Sequence, residues 1–259
     1  MKRLPLVAIA IVLTSCASGM QTQRAAMIAT IRRDVATAPR LAADPWFVRA
    51  LAVVASLPRE AFVPHAARRL AYVGTPLQIG WDQTISDPHI VAVMTAAARI
   101  GSGSNVLEIG TGSGYQAAVL SRLGARVATI EIVPQLADRA RATLARLRIG
   151  GVTVRAGDGF VGWPERAPFD AVIVTAGATE VPAPLLAQLR PGGRLVMPIG
   201  PRWPIEQILT LTKRADGGVY TCSLGPAMFV PLTGEGRRPE DPRGLSDRSI
   251  PLCYGAPVT

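Results

Sequence analysis

The fold is decided by residues 106–120, VLEIGTGSGYQAAVL. Five apolar-rich residues end at a glycine, a short glycine-rich turn follows, and an apolar helical stretch begins. Val, Leu and Ile before the turn suit a buried strand, and YQAAVLSRLG (115–124) has the composition of a helix packed on a sheet. The loop reads Gly110-x-Gly112-x-Gly114. Glycine removes the Cβ, so the backbone turns sharply and approaches a ligand closely. The spacing differs from the G-x-G-x-x-G of dinucleotide-binding folds, which argues against a nicotinamide dehydrogenase.

Working outward, short Val- and Ile-rich runs recur at ARVATIE (125–131), VTVRAGD (152–158), FDAVIVTAG (169–177) and GRLVMPIG (193–200). Helical stretches separate them, as in PQLADRARATLARLRIG (134–150). Strands alternating with helices predict a doubly wound, mostly parallel α/β sheet. IEQILTLTKR (205–214) and GGVYTCSL (217–224), joined by Ala215-Asp216-Gly217-Gly218, read as an antiparallel C-terminal strand pair. Residues 21–72 carry apolar positions at helical spacing, broken at Pro39, Pro45, Pro58 and Pro64, and predict several short helices. The expected division is a signal peptide over 1–15, a helical region over 16–75, the sheet domain over 76–234, and a poorly ordered tail over 235–259.

Carboxylates follow the glycine loop in order. Glu131 ends the next strand about twenty residues on, where an acid can accept from ribose hydroxyls. Asp158 follows the third strand beside Gly159 and is placed to accept from an adenine amino group. A Pro-Gly-Gly turn at 191–193 enters a late strand. This ordered set resembles the Rossmann-like class I S-adenosylmethionine-dependent methyltransferases.

Longer segments resemble one family in that class. LPREAFVP (57–64), PLQIGWDQTISDPHIVAVM (76–94), LEIGTGSGYQAAVL (107–120), GDGFVGWPERAPFDAVIVTAG (157–177), LRPGGRLVMPIG (189–200) and MFVPLTG (228–234) are similar to protein-L-isoaspartate O-methyltransferases. The resemblance covers about 57–234. It implies methyl transfer from S-adenosyl-L-methionine to the free α-carboxylate of L-isoaspartyl residues in damaged proteins or peptides. The ester then closes to a succinimide, which can reopen as aspartate. It also implies that Glu108, Gly110, Gly112 and Gly114 form the cofactor loop, that Glu131 takes the ribose, and that Asp158 and Gly159 take the adenine. Thr84, Ile85 and Ser86 fall on the family's substrate segment, with Ser86 as a positioning hydroxyl. Val230 falls on the C-terminal substrate segment, and Thr233 closes over the cofactor.

The substrate segment departs from the usual bacterial pattern Gly-x-Gly-Gln-Thr-Ile-Ser-Gln-Pro-Tyr. Asp82 replaces the second Gly, Asp87 the later Gln, and His89 the Tyr. Pro88 suits a first helical turn, so Asp87 or Ser86 is the expected N-cap. An Asp87 turned into the pocket would repel an isoaspartyl carboxylate. These departures leave two alternatives: a different methyl acceptor, or a non-catalytic envelope binding protein.

The chain has 28 Lys and Arg against 18 Asp and Glu, a formal charge of +10. Apart from Lys2 and Lys213 the cations are arginines. They are scattered, with no basic stripe interleaved by aromatics, so no nucleic-acid partner is expected. His65 and His89 are the only histidines and no metal-ligand spacing exists, so no metal site is expected. A monomer is expected.

The N-terminus MKRLPLVAIAIVLTSC has a basic start, an apolar stretch too short to span a bilayer, and a Leu-Thr-Ser-Cys box similar to that of bacterial lipoproteins. Export, with membrane attachment only through a lipid on Cys16, is the expectation. Translation from Met20 or Met27 and a cytoplasmic product is the alternative. Cys222 and Cys253 would be free to pair in an oxidising compartment.

Overall fold

The structure, a computed structural model, describes residues 7–200, 206–236 and 250–254, and of 7–18 the backbone alone. In chain order the elements are α1 (Val7–Val35), α2 (Pro39–Ala42), α3 (Pro45–Ser56), β1 (Leu77–Gly80), β2 (Gln83–Ile85), α4 (Pro88–Ala98), β3 (Asn105–Ile109), α5 (Tyr115–Arg122), β4 (Arg126–Glu131), α6 (Pro134–Arg146), β5 (Val152–Ala156), β6 (Phe169–Val174), α7 (Ala183–Ala187), β7 (Leu189–Ile199), β8 (Glu206–Lys213) and β9 (Val219–Ala227). The seven-stranded sheet runs β5-β4-β3-β6-β7-β8-β9. Its first five strands are parallel; β8 and β9 are antiparallel additions at the edge. The α/β class and the antiparallel C-terminal pair match the sequence expectation.

Strand alternation sorts the core. Leu107 and Ile109 of β3 face one side, with Phe169, Val172, Leu195 and Leu185 of α7. Val106 faces the other, with Ile173, Val196, Met94 of α4 and Leu120 of α5. The N-terminal helices pack outside α4, α5 and α6. Met27, Ile28, Ile31 and Val35 form the buried stripe of α1, at helical spacing. Helix α1 is continuous through the Leu13–Cys16 box. Among the described residues no helix is long and apolar enough to cross a membrane.

Three details differ from the sequence reading. A separate hairpin, β1–β2, precedes α4, where only a helix start was expected. The Pro-Gly-Gly segment lies inside β7, and the pairing of β6 with β7 shifts register just before it resumes at Arg194. The expected tail contains a docked piece. Ser223 donates its N–H to Pro251 O at 2.9 Å, Cys253 N donates to Ser223 O at 2.8 Å, and Cys222 and Cys253 form a disulfide. The Tyr254 hydroxyl donates to Asp44 Oδ2 at 2.9 Å, reaching the residue that caps α3. The open edge of β9 thereby gains a partner, which satisfies backbone groups that an edge strand otherwise leaves free.

Candidate active site

The strand order reverses between β3 and β6, since β3 is followed in sequence by its neighbour on one side and pairs with β6 on the other. Crevices for ligands form at the C-terminal ends of strands at such a point. Here the ends of β3 and β6 are tied together. Thr175 donates its N–H to Ile109 O at 2.9 Å, and its hydroxyl donates to Gly110 O at 2.8 Å. Gly110 has φ +91°, and a Cβ there would stand 2.5 Å from Thr175 Oγ1. Glycine is therefore required both by conformation and by space.

The cleft above this point gathers Gly110 and Gly112 from the loop, Glu131 and Ile132 after β4, Gly159, Thr175, Gln83 and Thr84 from the hairpin, and Val230–Thr233. Glu131 is 4% exposed. One of its oxygens accepts from Gly112 N at 2.7 Å and the other from Val133 N at 3.0 Å. Burial holds this carboxyl above the ordinary range, against the opposing effect of those backbone donors. A carboxylate offers about four lone-pair sites, so acceptor capacity remains beyond these donors. Ile132, 37% exposed, presents an apolar surface beside them.

The hairpin brings the substrate segment over the cleft. Its two-residue turn is Trp81–Asp82, with φ +52° and +56°. Positive φ at both central residues is the turn that matches strand twist. Asp tolerates that region better than most side chains, which is how Asp82 fits the turn. Arg139 of α6 donates to Ile79 O and stacks over Trp81, its carbon 5.5 Å from the ring centre. Arg139 thus pins the hairpin to the main domain. Thr84 reaches the cleft, while Ile85 is 3% exposed and packs in the core. Ser86 is half-buried, follows the end of β2 and is not among the residues that line the cleft. Asp87, not Ser86, caps α4: its Oδ1 accepts from His89 N at 2.7 Å. The cap also settles where the Asp87 charge goes, into the positive end of the helix.

Residues 230–233 close the cleft from the other side. Gly177 N donates to Val230 O at 2.8 Å and Leu232 N to Gly177 O at 2.7 Å. Asp158 precedes the cleft residue Gly159 but is not itself among those that line the cleft. Its carboxylate accepts from Phe160 N at 2.9 Å and from Glu235 N at 2.7 Å, which latches the strap. At Gly159 a Cβ would lie 2.3 Å from Ile109 Cγ2, so the Asp158 turn rests directly on β3.

Two residues expected in the cofactor loop are elsewhere. Glu108 is wholly buried on the opposite face of β3, because alternation turns it away from Ile109. Neither carboxylate oxygen meets a partner in ordinary hydrogen-bond geometry, and the Thr129 side chain and the Ala117 N–H only partly offset the burial. Burial pushes its carboxyl up to about 8. Gly114, at φ +84°, is the N-cap of α5, and a Cβ there would meet Ala140 and Leu144 of α6. Its work is packing. Gln83, Ile132 and Thr175 were missed. Gln83 was visible inside the quoted substrate segment, but Ile132 and Thr175 carried no motif signal beyond being strand ends.

Comparison with known proteins agrees with this geometry. The family model for protein-L-isoaspartate(D-aspartate) O-methyltransferase matches residues 46–237. The chain is 54% identical over 185 residues to the Gloeobacter violaceus protein-L-isoaspartate O-methyltransferase, covering 71% of this chain and 90% of that one. It is 47% identical over 212 residues to protein-L-isoaspartate O-methyltransferase 2 of Syntrophobacter fumaroxidans, covering 82% and 86%. A solved protein-L-isoaspartate O-methyltransferase superposes with TM-score 0.70 at 26% identity, over 82% of this chain and 67% of that one. A Plasmodium falciparum beta-aspartate methyltransferase, solved with S-adenosyl-L-homocysteine, superposes with TM-score 0.63 at 22% identity, over 79% and 97%, and bears on the fold alone. With its matched region spanning the hairpin, the glycine loop and the strap, the chain belongs to the protein-L-isoaspartate(D-aspartate) O-methyltransferase family.

Proposed function

We propose that this chain methylates the free α-carboxylate of L-isoaspartyl residues in proteins and peptides, using S-adenosyl-L-methionine, and so starts their repair. The observation that carries the reading is the meeting of Thr84, Glu131 and the 230–233 strap at one cleft on the strand switch point. The cleft residues fit an adenosyl group: two glycines without side chains, a buried acid with acceptor capacity left, and an apolar wall at Ile132. When bound, S-adenosylmethionine supplies an electrophilic methyl group at its sulfonium.

The chain's own work is placement. A carboxylate is ionised at neutral pH, so no strong general base is required. The hairpin brings Thr84 to the cleft, where its hydroxyl, with that of nearby Ser86, would orient the acceptor oxygen. Strap and hairpin together restrict water. Glu131 fixes the ribose end and also holds the loop through Gly112 N. The acids near the cleft are engaged by backbone donors: Asp87 by the α4 cap and Asp158 by the strap. Their charge is thereby directed away from the anionic acceptor.

The test is transfer of labelled methyl to a synthetic isoaspartyl peptide beside its aspartyl twin. Base-labile label on the isoaspartyl peptide alone is the expected result. Label on neither, with cofactor binding demonstrated in the same preparation, would shift the reading to another acceptor.

We further propose that the protein is exported, held to the membrane only through a lipid on Cys16, and acts as a monomer without nucleic acid. The lipoprotein-like N-terminus and the Cys222–Cys253 disulfide support export. Replacement of Cys16 by Ala should release the protein from the membrane fraction. An unchanged distribution would sink the anchor.

A further inference from the structure

A second concavity lies beside the substrate segment. It is a groove of about 490 Å³ between α1 and the residues that lead into β1 and α4. Its α1 wall lies outside residues 46–237, the part of the chain that the family model matches. Met27 and Ile31 form its apolar base, with the ring of Tyr72. The Tyr72 hydroxyl is already used, donating to Glu60 and accepting from Arg24 Nε, which leaves the ring as an apolar surface. Val73, 46% exposed, stands at the edge.

The charges around it balance. Asp34 and Asp87 are acidic and Arg69 is basic. One Asp87 oxygen caps α4, and the buried guanidinium of Arg59 lies within electrostatic reach behind it. An apolar base inside a neutral rim favours a large apolar side chain over an ion.

The groove lies close to the reaction site. Thr84 lines the cofactor cleft and Asp87 lines the groove. Three residues of chain span at most ~10 Å, so an extended peptide anchored at Thr84 covers the gap with two or three of its own residues. We propose that the groove is a subsite for the polypeptide that carries the isoaspartyl residue, taking a bulky apolar side chain two or three positions away from it. This rests on the methyl-transfer reading above, and it makes α1 a determinant of which damaged sites are methylated.

The experiment uses isoaspartyl heptapeptides with glycine at every flanking position, or with a single leucine two or three residues before or after the isoaspartate. For the intact protein, leucine at one of these positions should lower KM by about tenfold, the lower end expected for burying such a side chain. Thr30 is exposed and lines the groove, so Thr30→Trp fills it without touching the core. This variant should abolish the leucine advantage. Its kcat on the all-glycine peptide and its KM for S-adenosylmethionine should not change. An identical KM for all peptides, or a leucine advantage that survives Thr30→Trp, overturns the subsite. Sedimentation that finds a dimer dissociated by Thr30→Trp overturns it in favour of a second copy of this chain as occupant. Failure of the intact protein to methylate any isoaspartyl peptide is a separate result, which overturns the functional reading and the subsite with it.

Discussion

Glu131 and Gly112, nineteen residues apart, are joined by a 2.7 Å hydrogen bond from the glycine amide to the carboxylate. The residue that would hold the ribose therefore also fixes the loop that would approach the cofactor. Glu131→Ala removes both functions. Hydrogen bonds to a charged group contribute about 1.5–3 kcal/mol each, so S-adenosylmethionine affinity should fall by at least tenfold in calorimetry. Glu131→Gln keeps one acceptor oxygen and should fall in between. Equal affinity for wild type and Glu131→Ala would remove Glu131 from the site.

Glu108 makes the opposite prediction, one about stability. Its carboxyl is raised to about 8 in the fold by burial, whereas an unfolded glutamate titrates near 4.3. Between these values the unfolded chain has lost the proton and the folded chain retains it. The unfolded state then binds fewer protons, so stability falls as pH rises through this window. Glu108→Gln carries no such proton. Its melting temperature should gain on wild type steadily from about pH 5 to about pH 8. Parallel curves for the two proteins would mean that Glu108 is ionised in the fold.

The sheet was legible because its strands are short apolar runs separated by glycine and proline, and burial on both faces enforces that composition. The meeting of Gly110, Glu131 and Gly159 at one cleft was legible because each stands just after or at the C-terminal end of a strand, where a switch-point crevice forms. Glu108 misled because motif proximity suggests a ligand, while strand alternation turns it to the other face of β3. The hairpin was hidden because a turn of Trp81 and Asp82 carries no glycine at its centre, although both residues adopt positive φ. The docked tail was hidden for another reason. Long-range contacts hold it, namely the Cys222–Cys253 disulfide, the backbone hydrogen bonds to Ser223 and the bond of Tyr254 to Asp44 across 210 positions, and no local pattern encodes such contacts.

That docking makes stability depend on oxidation. The disulfide closes a separation of 31 residues, and restricting a loop of that size in the unfolded chain is worth about 3–4 kcal/mol in the chain-entropy account. At this chain length each kcal/mol moves the melting temperature by roughly 2–4 °C. Reductant, or Cys222→Ser with Cys253→Ser, should lower it by about 10 °C. The cleft residues lie on other strands, so methyl transfer at 25 °C should persist. A melting temperature indifferent to reductant would mean that the cysteines do not pair in solution.

Ser86 and Asp87 are adjacent, and the structure assigns them different work. Asp87 caps α4 through His89 N, while Ser86 takes no part in that cap. Asp87→Asn keeps a capping oxygen and removes the charge. Since that charge is already directed into the helix, kcat/KM on an isoaspartyl peptide should change by less than about threefold, in keeping with a screened charge. Asp87→Ala loses the cap and should cost about 1 kcal/mol of stability. Ser86→Ala removes no cap, so its melting temperature should hold. Its kcat should fall about tenfold or more, as for loss of one hydrogen bond realised mainly in the transition state, with cofactor affinity unchanged. A large gain in rate from Asp87→Asn would place its carboxylate in the substrate pocket after all. An unchanged kcat in Ser86→Ala would leave Thr84 as the orienting hydroxyl.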